Sequence, residues 1–181
     1  MPAKAGIQCR SIGPGFPPFD KLRACFRGND DAKMFKNILI LCTGNICRSP
    51  MAEVVLRERL RGQAPDAVPN VISAGTAALV GYPADPFAVE VAQQYGFDLA
   101  AHRGQQALTP LLSAADLVLV MERAHADWVH RQSPSLRGRV QLLGRWREQE
   151  IADPYGRSRE VFETCFEQID DCVADWLPRL A

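Results

Sequence analysis

The run Ile38-Leu39-Ile40-Leu41 constrains the fold of this chain most, because it is apolar without alternation. A strand with one wet face alternates apolar and polar residues. A strand covered on both faces does not, so this run predicts the interior of a parallel sheet with helices on either side. Cys42 ends the run. Thr43-Gly44-Asn45-Ile46-Cys47 follow, then Arg48, and Ser49-Pro50 opens a helix-type pattern. Strand, short loop and helix start together make an anion-binding device: backbone N–H groups converge while the helix N-terminus adds positive potential. A thiol at one end of that loop and a guanidinium at the other make it a candidate for phosphoryl transfer through a phosphocysteine.

The remaining pattern fits the same architecture. Strands are expected near 37–42, 70–74, 116–121 and 140–143, with helices near 50–61, 86–96, 110–115, 122–132 and 158–177. Alternating strands and helices predict an α/β three-layer sandwich on a four-stranded parallel sheet, in the flavodoxin-like order 2-1-3-4. The last helix carries Val161, Phe162, Cys165, Phe166, Ile169, Val173, Trp176 and Leu177, the stripe of a helix packed on a sheet. Ligands of such sheets bind beyond the carboxyl ends of the strands, so function is expected in the loops after Leu41, Ser73, Val120 and Leu143.

Residues 1–35 read differently. Gly13-Pro14-Gly15-Phe16-Pro17-Pro18 lies among them with no helical or strand period, which predicts an extension without a core. Met34 directly precedes the first strand, so a mis-assigned start is a further expectation. Residues 36–181 form the expected single domain. The whole chain of 181 residues carries 21 basic and 21 acidic residues, a balance that speaks against nucleic acid or an anionic membrane as partner. No apolar run has the length of a membrane span. Six irregularly spaced cysteines do not suggest a disulfide framework, and a reducing cytoplasm is the expected compartment.

Within the loop, Gly44 is expected to supply a positive φ and Asn45 to tolerate a left-handed conformation. Ser49 reads as N-cap and Pro50 as the first helical residue. Arg48 offers a planar fork for two phosphate oxygens. The helix start and a Ser49 hydroxyl donating to sulfur would favour the Cys42 thiolate. The plainer alternative makes Cys42 and Cys47 small buried hydrophobes and Arg48 a surface charge. A zinc site would need two more ligands, and His102, His125 and His130 do not form an evident second pair.

The loop resembles the signature of low-molecular-weight protein tyrosine phosphatases: Cys, five residues, Arg, then Ser or Thr. SAGT, DLVLVME and DPYG fall in that family's order and spacing from about Phe35 to Leu180. ALVG, ADP and GRVQLLGRW resemble the bacterial members paired with exopolysaccharide tyrosine kinases. The resemblance implies phosphotyrosine hydrolysis, with Cys42 as nucleophile, Arg48 and the loop residues Thr43 to Cys47 around the phosphate, and Asp153 as general acid and then base. The bland reading of Asp153-Pro154 is a turn opener. The resemblance also implies a supporting network of Asn45, Ser49, Ser73 and His102, with Asp116 orienting His102. Leu79, Tyr82 and Tyr155 are the expected pocket walls. Gly156 stands where eukaryotic members carry a second aromatic, and Ile46 where protein-arginine phosphatases have Thr. No metal or organic cofactor is implied. The implied partner is a phosphotyrosine protein, notably a tyrosine autokinase of polysaccharide export, met by a chain that is mostly monomeric. Cys47 could trap an oxidised Cys42 as a disulfide. Cys165 and Cys172 keep an arsenate reductase on the same scaffold open, and a phosphotyrosine reader or a small-molecule phosphatase are further alternatives.

Overall fold

The computed structural model describes residues 35–63, 65 and 68–180. The expectations for the leader lie outside the described residues apart from Phe35, whose ring is buried against the core. Four strands, β1 (Asn37–Cys42), β2 (Asn70–Gly75), β3 (Leu117–Val120) and β4 (Val140–Leu142), form one sheet in the order β2-β1-β3-β4. All three pairings are parallel, with Cys42 opposite Gly75 and Leu41 opposite Val120. The expected order is therefore the observed one.

The helices are α1 (Arg48–Gln63), α2 (Pro86–Gln94), α3 (Thr109–Ala114), α4 (Arg123–Gln132) and α5 (Arg159–Leu180). Strand geometry explains how the unalternating runs are used. Ile38, Ile40, Leu117 and Leu119 point to one face, where Met51 and Val55 of α1 and Phe166, Ile169 and Trp176 of α5 cover them. Leu39, Leu41, Val118 and Val120 point to the other face, against Leu112 of α3 and Ala126 and Val129 of α4. A polar residue at any of these positions would meet a core instead of water, which is why the runs are apolar throughout. The Trp176 indole N–H donates to the Leu143 carbonyl at 2.8 Å, fixing α5 to the end of β4.

One boundary differs from expectation. Helix α1 begins at Arg48, because the Cys47 carbonyl already accepts the Met51 N–H at 3.3 Å. Ser49 is thus inside the first turn and is not the N-cap. Its hydroxyl is free for a different task, described below. No helix among the described residues is long and apolar enough to cross a membrane.

Candidate active site

The carbonyls of the loop between β1 and α1 show how it is built. Those of Cys42, Thr43 and Gly44 accept the N–H groups of Thr76, Ala77 and Leu79 at 2.9, 3.0 and 3.0 Å. The Ile46 carbonyl accepts Asp85 N–H at 2.8 Å, and the Asn45 carbonyl accepts from His102 Nε2 at 2.7 Å. Every one of these carbonyls is therefore held outward by a neighbouring segment. In a planar trans peptide the N–H points opposite to the C=O. The amides that follow these carbonyls consequently face inward and make a cup. The sequence placed the left-handed turn on Gly44 or Asn45; it falls on Asn45, with φ 55°, and Gly44 does not use a positive φ.

Asn45 is fully buried and ties the cup to its surroundings. Its side-chain oxygen accepts the Gln105 N–H at 2.8 Å, which fixes the orientation of the amide. Its Nδ2 then donates to Ser49 Oγ and Ser73 Oγ, both at 2.9 Å. Ser73 passes its own hydrogen to Glu53 at 2.6 Å. Ser49, with an oxygen already accepting from Asn45, has its hydrogen available for Cys42 Sγ at 3.0 Å. The Asn45 N–H points at the same sulfur from 3.3 Å. The Ser49 hydroxyl and the Asn45 N–H thus converge on Cys42 Sγ at the bottom of the cup.

Arg48 closes the other end. Its side chain is only 1% exposed, so its charge needs partners. Nη1 pairs with Glu122 and donates to the Ile151 carbonyl at 2.9 Å, and Nη2 lies 2.5 Å from Asp153 Oδ2. Burial works against the guanidinium charge, but Glu122, Asp153 and Cys42 more than offset it and raise its pKa. Arg48 Nε is a buried donor with no partner among the described residues. An oxyanion seated in the cup would satisfy it, so the donor set fits phosphate.

Asp153 follows β4 across the cleft and is directed at the cup through Arg48. The cleft above Cys42 has a volume of about 230 Å3, with Ile46, Leu79 and Tyr155 as apolar walls. An aromatic ring would fit such walls. Tyr82, expected beside Leu79, does not line this cleft and is 62% exposed. Beyond Leu79 the chain turns, with Tyr82 N–H bonded to the Leu79 carbonyl at 3.1 Å and Gly81 N–H to the Gly104 carbonyl at 2.8 Å.

Asp116 is a second correction. It does not touch His102. Its Oδ2 accepts the N–H groups of Lys36 and Asn37, each at 2.9 Å, and so ties off the start of β1 at the opposite edge of the sheet. His102 is held instead through Asn45. Four residues were missed from the sequence: Glu122 against Arg48, Glu53 against Ser73, Gln105 against Asn45, and His125, whose Nε2 lies 3.0 Å from Thr43 Oγ1. Glu122 sits in DLVLVME, so the motif that marked β3 also carried the missed carboxylate.

The other thiols among the described residues are poorly suited to attack. Cys47 is 3% exposed, and burial, with Asp85 and Asp153 nearby, pushes its pKa far up. Cys165 lies under the acid loop, its sulfur 3.9 Å from the Ala152 carbonyl, and burial pushes it up to about 12. Cys172 is raised by burial as well and meets Gln149 at 3.3 Å. No group of three or more His, Cys, Asp or Glu among the described residues could hold a metal ion.

Comparison with known proteins gives a consistent result. A family model described as low molecular weight phosphotyrosine protein phosphatase matches residues 37–181. The probable low molecular weight protein-tyrosine-phosphatase EpsP of Ralstonia nicotianae is 46% identical over 147 residues, 81% of this chain and 97% of that relative. The crystal structure of the tyrosine phosphatase Wzb from Escherichia coli K30 with sulphate superposes with a TM-score of 0.75 at 38% identity, covering 81% of this chain and 99% of that one. The YwlE arginine phosphatase of Geobacillus stearothermophilus superposes with a TM-score of 0.73 at 30% identity, covering 80% and 92%.

Proposed function

The chain belongs to the low molecular weight phosphotyrosine protein phosphatase family and is a protein-tyrosine phosphatase, and from that premise we propose that it works through a phosphocysteine on Cys42, with Arg48 and Asp153 as its partners. The observation that carries this reading is the set of outward carbonyls around the loop, which leaves the inward amides and two hydrogen-bond donors around one sulfur.

The Cys42 thiolate attacks phosphorus in line with the phenolic oxygen. The S–P bond forms as the P–O bond to the tyrosine breaks, and the amides and Arg48 hold the three equatorial oxygens. Phosphate takes the place of Asp153 on Nη2 and satisfies Nε. Asp153, released from Arg48, takes up a proton from solvent and gives it to the departing phenolate. The resulting carboxylate then takes a proton from water, whose oxygen attacks phosphorus. The S–P bond breaks, inorganic phosphate leaves, and the Ser49 hydroxyl receives the thiolate.

Thr43, Gly44, Ile46 and Cys47 supply the rim of the cup, while Asn45, Ser73 and His102 keep it rigid. Leu79 and Tyr155 clasp the substrate ring. The preferred substrate is phosphotyrosine over phosphoarginine, because the apolar Ile46 faces the cleft. As partner we propose a tyrosine autokinase of polysaccharide export, acting on the cytoplasmic side; the support is the likeness of ALVG, ADP and GRVQLLGRW to members paired with such kinases.

A panel of phosphotyrosine, phosphoserine and phosphoarginine peptides tests this, with Cys42→Ser as control. Turnover of phosphotyrosine alone, abolished in Cys42→Ser, is expected. Preference for phosphoarginine would overturn the substrate assignment, and residual turnover in Cys42→Ser the mechanism.

A further inference from the structure

We propose that His125 is a positioning residue for this reaction, acting only as the neutral imidazole with its proton on Nε2, and that it couples the start of α4 to the phosphate loop. The inference rests on the reading of Cys42 and Arg48 given above.

The ring is buried, in the first turn of α4. Its Nδ1 lies 3.2 Å from the backbone nitrogen of Glu122. A backbone N–H can only donate, so Nδ1 is the accepting, unprotonated nitrogen. The proton of the neutral ring is then on Nε2, aimed at Thr43 Oγ1 at 3.0 Å. Thr43 follows the nucleophile directly, and its carbonyl is one of those held outward. Glu122 is the carboxylate paired with the buried guanidinium of Arg48. One ring therefore grips both the residue beside the sulfur and the residue that aims the arginine. His125 does not line the cleft, so it acts through these two neighbours and not on substrate.

Protonation breaks the arrangement. A second ring N–H would face the Glu122 N–H, donor against donor. Thr43 could still accept, but the Glu122 N–H would lose its acceptor on the ring. The charged groups around His125 are Arg48, which opposes a further positive charge, and Glu122, Asp153 and Glu150, which favour one. Burial opposes the charge most strongly, and the balance keeps the ring below the ordinary histidine range. At neutral pH the grip is intact. On acidification it is released, Glu122 loses its fixed backbone, and Arg48 loses its alignment.

The test compares wild type with His125→Gln and His125→Phe. Gln keeps an N–H for Thr43 and a carbonyl for Glu122 but cannot titrate near neutrality; Phe fills the space and offers neither. The chain has three histidines, so nitrogen NMR of the rings at pH 7.5 can be assigned by the signal that His125→Gln removes. A neutral Nε2–H ring is expected for His125. The kcat of His125→Phe on an aryl phosphate at that pH should fall about 10- to 100-fold, the scale of a small misplacement of a reacting group, with KM changed far less. His125→Gln should recover most of that loss and show a shallower fall of kcat on the acid side. An Nδ1–H or charged ring, a wild-type kcat in His125→Phe, or an acid limb in His125→Gln matching wild type would each overturn the proposal. If His125→Phe does not fold, the ring spectrum and the His125→Gln profile decide. Failure of the parent reading looks different: Cys42→Ser would stay active while the tautomer is still read directly.

Discussion

Asn45 shows what a single residue does here. It takes the left-handed turn, its carbonyl accepts from His102, and its side chain meets Gln105, Ser49 and Ser73. Asn45→Ala leaves the Gln105 N–H without its acceptor and takes a donor from two buried hydroxyls, at about 1–3 kcal/mol for each unsatisfied group. Denaturant unfolding should show a loss in that range together with a reduced kcat; a variant as stable and as fast as wild type would contradict the network. Asp153→Ala should lower kcat by about 10²- to 10⁴-fold, the scale for loss of a general acid, in steady-state assays with an aryl phosphate of poor leaving group. A wild-type rate there would remove Asp153 from the acid role. At this scale the loop was legible because its residues are consecutive. Glu53, Gln105 and Glu122 were not, because their partners lie 20, 60 and 74 residues away and no local pattern announces a carboxylate or amide that is used across such a distance. Asp116 misled for the related reason that a costly acid at the head of a buried strand can be satisfied by the strand's own neighbours.

Among the elements, the segment after β2 is as much a part of the site as the cup it clasps. Thr76, Ala77 and Leu79 hold the cup's carbonyls, so the pocket wall and the phosphate loop share one hydrogen-bond ladder. Gly104 permits this: a Cβ there would come within 2.4 Å of the Leu79 carbonyl oxygen, backbone that cannot swing aside. Gly104→Ala should therefore displace the Leu79 wall, destabilise by about 1–3 kcal/mol as overpacking does, and raise KM more than it lowers kcat. Unchanged melting and unchanged KM would show that the wall is not held this way. The strands could be read from sequence because a doubly covered strand has a distinctive unbroken apolar run, as in Leu117–Val120. The start of α1 could not, because Ser-Pro fits a cap and a first turn equally well, and the Cys47 carbonyl decided between them. Tyr82 was misplaced because side chains in a loop follow no period.

For the molecule as a whole, the sheet gathers the loops after β1, β2, β3 and β4 at one edge, so that Cys42, Leu79, Glu122 and Asp153 meet although they span much of the chain. The two histidines of α4 make stability depend on pH. Burial lowers the pKa of His125, with Arg48 adding to it, and burial also lowers that of His130, with Arg137 adding. A lowered folded value means that the unfolded chain binds the proton more readily. Their contribution is thus complete above the ordinary histidine value of about 6.5 and is lost as pH falls through the folded values. Melting temperatures should drop between pH 7.5 and 5.5, and drop less in His125→Gln; an equal drop would remove His125 from that effect. The central claim, that the cup makes one sulfur the acceptor of phosphate, is tested most directly by acid quench during turnover of an aryl phosphate, followed by peptide mass mapping. Phosphate on Cys42 is the predicted result, and phosphate on another residue, or none on the protein while product forms in a burst, would contradict it.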